Sequence, residues 1–236
     1  MPRPRKPREI EVVDLFCGIG GLSYGLKTSG FRILAGYDLD GTCEYAYEHN
    51  NNASFQYRDI KSVTSSEIKS LYSKDSIKVL AGCAPCQPFS SYSHSKKEKD
   101  PNKYDLLYEF GRLVKEVKPD IVTMENVTQL VNFKEKPVLQ DFINTLTSTG
   151  YEVSVNKVFC PDYGVPQTRK RLVLLASRLG SITLIPPTHT KENYITVGDV
   201  IRDLPPVNAG EGCPIDPLHR AIAISPINMR RIKATP

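Results

Sequence analysis

The chain has 236 residues, 40% of them apolar, and a formal net charge of +5. That is enough for one α/β domain with a full hydrophobic core, which excludes global disorder, and no apolar run is long enough for a membrane-spanning helix. The charge is mild, compatible with a polyanionic partner without requiring one.

Residues 1–9, MPRPRKPRE, are basic and Pro-rich and lack the apolar region of a secretory signal, so they read as a flexible tail. EIEVVDLF (9–16) predicts a buried strand running into the glycine cluster CGIGG, and Leu22 to Ser29 a short helix ended by Gly30. FRILAGYDLD (31–40) predicts a second strand with an acidic end, TCEYAYEHN a helix, and SFQYRDI (54–60) a third strand. A polar segment with helical potential precedes SIKVLAGCAPC (76–86), a fourth strand entering a Pro-rich turn. Residues 89–103 are Ser- and Lys-rich without periodicity and predict a long loop. YDLLYEFGRLVKEVK (104–118) has helical spacing, PDIVTMENV is a fifth strand, and 137–149 another amphipathic helix. YEVSVNKVF and RKRLVLLAS predict two more strands. Beyond Ile185 the chain turns Pro- and Gly-rich with one helical piece, VGDVIRDL. Alternating strands and helices predict an α/β fold built on a doubly wound, mostly parallel sheet.

In such sheets ligands sit beyond the C-terminal ends of the strands. After the first strand, DLFCGIGGLSYG offers a tight turn at a helix start, although Ser23 breaks a full G-x-G-x-x-G pattern, and a mere packing turn reads equally well. Asp38 lies 20 residues after Gly18, a spacing suited to a carboxylate on ribose hydroxyls, while Asp40 suits a helix N-cap. Both a nicotinamide enzyme and an S-adenosylmethionine (AdoMet) enzyme satisfy these features. Asp59 reads either as an acceptor for an adenine amino group or as a turn residue.

The fourth strand delivers GCAPCQPFS. A zinc site needs four ligands in two groups, and no second C-x-x-C exists, so no metal is expected. Pro85 and Pro88 flank Cys86 and fix a turn, which suits one positioned nucleophile rather than a redox dithiol. Cys83 reads as an incidental small residue, and all six cysteines as free thiols of a reducing compartment. Glu125 follows the apolar IVTM, so burial is expected to raise its pKa toward that of a proton donor, with a structural carboxylate as the alternative. Arg169 and Arg171 in QTRKR share a face if the segment is a strand, suiting a carbonyl oxygen and a carboxylate.

Taken in this order, the motifs resemble the DNA cytosine-C5 methyltransferase family: DLFCGIGGLSYGL its cofactor motif, YDLD and RDI the next two, then GCAPCQPFS, MENV and QTRKR. The resemblance covers residues 10–236 and implies a Rossmann-like class I AdoMet-dependent methyltransferase fold. It implies that Cys86 attacks C6 of a flipped-out cytosine and that Glu125 holds or protonates N3. Arg171 would engage O2, and Arg169 would support the carboxylate and the ring. For AdoMet, Phe16 would be the aromatic residue of the cofactor motif, the Ile19 and Gly21 backbones would line the methionine moiety, and Gly18 and Gly20 would belong to the same cofactor loop. Asp38 would bind ribose, Leu39 cover the adenine, Asp59 and Ile60 face its edge, and Pro85 and Leu106 complete the pocket. Residues 89–103, with Lys96, Lys97 and Lys99, would be the catalytic loop that closes on DNA.

The expected organisation is a tail over 1–9, an AdoMet-binding catalytic domain over 10–185, and a domain edge over 186–236. That edge would lead toward a target recognition region carried by a missing C-terminal segment or a second polypeptide. Duplex DNA is the expected partner, and a bacterial, nucleoid-associated cytoplasmic setting the expected location, as for a restriction-modification or orphan modification enzyme. Three other readings stand beside it: a truncated or split AdoMet- or DNA-binding module without activity of its own, a tRNA cytosine-C5 methyltransferase, and a nicotinamide oxidoreductase.

Overall fold

A computed structural model of the chain describes residues 7–85, 105–132 and 137–235. Its centre is a seven-stranded sheet made of β1 (Ile10–Leu15), β2 (Arg32–Asp38), β3 (Ser54–Tyr57), β4 (Ile77–Gly82), β5 (Ile121–Val127), β6 (Glu152–Phe159) and β7 (Lys170–Ser177). The strand order is β3-β2-β1-β4-β5-β7-β6, and every pair is parallel except the two that involve β7. β1 and β4 are apolar in near-continuous runs because both their faces are covered.

The helices are α1 (Gly21–Thr28), α2 (Glu44–Asn51), α3 (Ser65–Leu71), α4 (Asp105–Val117) and α5 (Val138–Ser148), with α6 (Val197–Ile201) and α7 (Pro226–Ala234) beyond the sheet. One core gathers Ile68 of α3, Phe110 and Leu113 of α4, and Phe142 and Leu146 of α5 against one face of the sheet. The other packs Leu22 and Leu26 of α1 and Tyr47 of α2 on the opposite face. Phe110 and Phe142 meet at 5.2 Å between centroids and join α4 to α5. Truncating one such buried ring to alanine costs about 3–5 kcal/mol.

This is the doubly wound fold the sequence predicts, and the one the family resemblance implies. Element limits move by one to three residues, and RDI leaves the third strand because Asp59 caps a 3-10 turn over Ile60–Ser62. Beyond Ile185 the single expected helix is too few. A hairpin of β8 (Gly212–Cys213) and β9 (Asp216–Arg220) follows, and then α7. Ser225 caps α7 and Pro226 opens it, a start signal that was readable in the sequence. Among the described residues no helix is long and apolar enough to cross a membrane.

Candidate functional site

The strand order reverses at β1, which sends β2 one way and β4 the other, and the candidate site lies along that carboxyl edge. At the end of β1, Phe16 has a positive φ of 59°, rare for an aromatic residue and a mark of a constrained turn. The turn closes with Gly20 N–H donating to the Cys17 carbonyl at 2.9 Å, and Gly20 starts α1 at φ 88°. A Cβ on Gly20 would stand 2.1 Å from Asn51 Nδ2, so only glycine lets the loop lie on α2.

Asp38 closes β2, and its carboxylate holds the glycine turn. Oδ2 accepts from Gly18 N–H at 2.8 Å and Oδ1 from Asp40 N–H at 2.9 Å. Two backbone bonds leave lone pairs on both oxygens for a ligand's hydroxyls. Asp40 is the N-cap the sequence predicts, accepting from Thr42 N–H at 3.0 Å. Above this turn Ile19 is 65% exposed and Leu39 62%, two apolar side chains left uncovered. A Cβ on Gly18 or Gly21 would meet nothing within 4 Å, so the space over the turn is open. A carboxylate between uncovered apolar walls fits an adenosine-bearing cofactor.

The remaining predicted cofactor residues divide. Asp59 is exposed and caps the next turn, accepting from Lys61 N–H at 3.0 Å. Ile60 is buried in the core, which leaves its backbone rather than its side chain for a ligand. The start of α4 docks beside this turn. Lys61 Nζ stands 3.5 Å from the Asp105 carboxylate, and Arg112 donates to the carbonyls of Ile60 and Val63. That places half-buried Leu106 at the same edge, while Pro85 is exposed at the end of the described turn.

Beneath the glycine turn is a buried polar group that sequence reasoning did not single out. Asp14 of β1 is fully buried; its Oδ2 accepts from Ser23 Oγ at 2.7 Å, and Ser23 Oγ also meets Tyr47 Oη at 3.0 Å. Asp14 Oδ1 is buried without a partner. Burial pushes the Asp14 carboxyl up to about 7, against the Ser23 hydrogen bond and with help from the nearby Asp38 charge. An acidic residue between Val13 and Leu15 in a buried strand was the available signal.

The second half of the site stands on β5 and β7. Glu125 Oε1 is 2.6 Å from Arg171 Nε. The pair forms because β7 runs antiparallel to β5, setting Arg171 opposite Val127 and Val173 opposite Glu125 on one face. Burial raises the pKa of Glu125, opposed by the Arg169 charge and by a hydrogen bond from the Cys83 thiol. Burial also raises the pKa of Cys83, which keeps it a thiol and a donor. Both arginines act on Glu125 in this structure, one by contact and one by charge. Arg171 makes the direct ion pair with Glu125, whereas Arg169 is exposed one residue ahead of β7.

Asn126, buried next to Glu125, ties the two strands together. Its Nδ2 donates to the Ala84 carbonyl at 3.1 Å, and its Oδ1 accepts from Val127 N–H at 2.8 Å. The turn that leads to Cys86 is thereby fastened to the strand that carries Glu125. A Cβ on Gly82 would lie 2.9 Å from Phe110 Cε1 and 3.2 Å from the Leu15 carbonyl, so the turn leaves the sheet without slack. Cys86 itself, and the loop over 89–103, lie outside the described residues. Among the described residues the five cysteines are free, and no three His, Cys, Asp or Glu side chains gather as a metal site.

The loop between β6 and β7 is held from outside. Tyr194 Oη donates to Asp162 Oδ1 at 2.5 Å, and the N–H groups of Thr188 and His189 donate to the Asp162 carbonyl. Arg169 and Arg171 are therefore presented from a latched hairpin.

The model of the family described as C-5 cytosine-specific DNA methylase matches residues 10–223. The chain is 49% identical to the type II methylase M.HgiDII of Herpetosiphon aurantiacus over 94% of its own length and 62% of that protein. It is 33% identical to the type II methyltransferase M.DdeI of Desulfomicrobium norvegicum over 86% of its length and 50% of that protein. Among solved structures it resembles a protein assigned as a DNA modification methyltransferase of an E. coli prophage, with TM-score 0.72 and 26% identity. The match covers 85% of this chain and 57% of that one. The S. pombe Dnmt2 methyltransferase shares the fold at TM-score 0.58 and 19% identity, over 75% and 52% of the two chains. The chain thus spans from under half to about three-fifths of the length of the relatives it matches, 46% to 62%. Those relatives hold their further length in the same polypeptide, which gives no support to a separate second one.

Proposed function

The chain belongs to the C-5 cytosine-specific DNA methylase family, and from that premise we propose that it methylates C5 of a cytosine flipped out of duplex DNA, through a covalent adduct with Cys86. The observation that carries this reading is the Glu125–Arg171 pair, at 2.6 Å, on the strand fastened through Asn126 to the turn before Cys86.

A cytosine inside a duplex is out of reach of a cysteine at the floor of a protein cleft, so the base must leave the stack, at a few kcal/mol. Cys86 adds to C6 as the thiolate, forming the S–C6 bond while the ring electrons move toward C5 and N3. Glu125 holds a proton at N3 and offsets the charge arriving there. Its burial favours the protonated carboxyl this needs. The Arg171 guanidinium has five N–H donors, so its contact with Glu125 leaves others for the O2 carbonyl, while Arg169 adds positive charge nearby. AdoMet would supply an electrophilic methyl group to C5, its S–CH3 bond breaking to leave S-adenosyl-L-homocysteine. Once C5 carries that methyl, loss of the C5 proton and elimination of Cys86 restore the aromatic ring. Asp38 would orient the cofactor's ribose, with Ile19 and Leu39 covering apolar surface. Gly18, Gly20 and Gly21 would let the backbone approach the methionine end, beside Phe16. Asp59, the Ile60 backbone, Pro85 and Leu106 would close the adenine side.

The test is a duplex with 5-fluorocytosine at the target position, incubated with AdoMet, since fluorine at C5 blocks the final elimination. A denaturation-resistant adduct is expected, lost in Cys86→Ser and retained in Cys83→Ser. Adduct formation by Cys86→Ser would refute the assignment.

A further inference from the structure

On the other face of β7 from Arg171, a cleft of about 500 Å³ opens at the same carboxyl edge, walled by Lys157, Phe159, Lys170 and Gln129. Its walls follow from register. Phe159 stands opposite Lys170, and Lys157 is two residues back along β6, so the three project to one face. Arg171 opposes Val158 and projects to the other. Both lysines are exposed, and among the described residues neither forms an ion pair. Lys170 Nζ lies 6.0 Å from the centre of the Phe159 ring, a cation–π contact that holds its stem over the cleft. Glu125, on the other face, is paired with Arg171, and Asp162 accepts from Tyr194.

We propose that Lys157 and Lys170 form a phosphate-binding wall for the backbone of the DNA strand whose cytosine enters the Glu125–Arg171 site. The inference rests on the methyltransferase reading above. Lys170 is one residue, roughly 3.3 Å of strand, from Arg171. A base held by Arg171 therefore brings its flanking phosphates to this edge of β7. B-form DNA carries one charge per roughly 3.4 Å of each strand, so two uncommitted ammonium groups meet adjacent phosphates without sequence preference. Gln129 adds a neutral donor on the opposite wall.

The experiment compares the unsubstituted protein with Lys157→Gln/Lys170→Gln and with Lys115→Gln, whose lysine lies near the far end of α4. Binding of a labelled mixed-sequence duplex is followed by anisotropy across a salt series, together with methyl transfer from labelled AdoMet to the same DNA. Each lost phosphate contact lowers the slope of log K against log salt by roughly 0.9, so the double variant is expected to lose about 1.8. Its KM for DNA rises, while kcat at saturating DNA holds, and Lys115→Gln behaves as the unsubstituted protein. An unchanged slope in the double variant, with methyl transfer intact, overturns this inference alone. A slope change seen with tRNA but not with DNA also overturns it. Failure of the unsubstituted protein to methylate DNA overturns the function reading and this inference with it.

Discussion

Asp14→Asn tests the buried carboxyl under the glycine turn. Asp14 is fully buried, and its folded pKa of about 7 compares with an ordinary value of 3.8. A pKa raised by folding means that the native state binds the proton more tightly than the unfolded chain. The stability this provides is complete below about pH 4 and is lost as pH rises to about 7, where it flattens. The gap amounts to about 4 kcal/mol. Asparagine is isosteric and has no charge. Its oxygen can accept from Ser23, but its amide group inherits the unpartnered position of Oδ1, at a cost of about 1–3 kcal/mol. The variant is therefore expected to show a flatter stability curve between about pH 4 and 7, and to exceed the unsubstituted protein by about 1–3 kcal/mol in mildly alkaline buffer. Urea unfolding across that range, fitted with a common m-value, measures it. Glu11 titrates in the opposite sense, because its pKa is lowered through the Ser73 hydrogen bonds despite burial, and it is common to both proteins. If Asp14→Asn keeps the same pH slope as the unsubstituted protein, Asp14 is not the titrating group.

Gly20→Ala places a methyl 2.1 Å from Asn51 and 2.8 Å from the Tyr47 ring at φ 88°. The left-handed backbone and the overpacking together cost roughly 2–5 kcal/mol. For a chain of this size that lowers Tm by roughly 5–15 °C in a calorimetric scan. Arg171→Met removes the 2.6 Å partner of Glu125 while keeping an apolar stem, so the carboxyl is expected to titrate at higher pH. Carbon NMR of labelled glutamate reads the shift, and an unmoved Glu125 resonance would show the ion pair to be unimportant in solution. Asn126→Ala strands the Ala84 carbonyl, at about 1–3 kcal/mol. It should lower kcat for methyl transfer more than it weakens AdoMet binding, and equal losses would argue against a tether specific to the nucleophile's turn.

Much of the fold was legible because the strands announce themselves. VVDL, apart from Asp14, and VLAG are apolar runs buried on both faces, and α4 shows a clean helical stripe. Asp40 as a cap and Glu125 at a strand end followed from local pattern alone. What the sequence hides is pairing across the sheet. Nothing in QTRKR says that β7 reverses direction, and it is the reversal that puts Arg171 on Glu125. Asn126 looked like one letter of a motif until its bond to Ala84 gave it a mechanical role. Cys83 lay beside a more conspicuous cysteine, and its place next to β5 is set by the pairing of β4 with β5 rather than by local sequence. The Asp162–Tyr194 bond joins positions 32 residues apart and has no local signature.

The strand order itself constrains the chemistry. β4 lies between β1, which ends in the glycine turn, and β5, which carries Glu125. Neighbouring strands stand about 4.8 Å apart, so the ends of β1 and β5 are separated by about 10 Å, with the exit of β4 between them. Under the proposed function, a methyl donor held over β1 and a base held over β5 would converge above the turn that leads to Cys86. That turn is fixed on both sides. Gly82 is wedged between Phe110 and the Leu15 carbonyl, and Ala84 is bonded to Asn126. A register slip of one residue in β4 would turn Gly82 away from Phe110 and break the Ala84 contact together. The packing that stabilises the centre of the sheet and, under the proposed function, the placing of the turn before Cys86 are thus the same set of contacts.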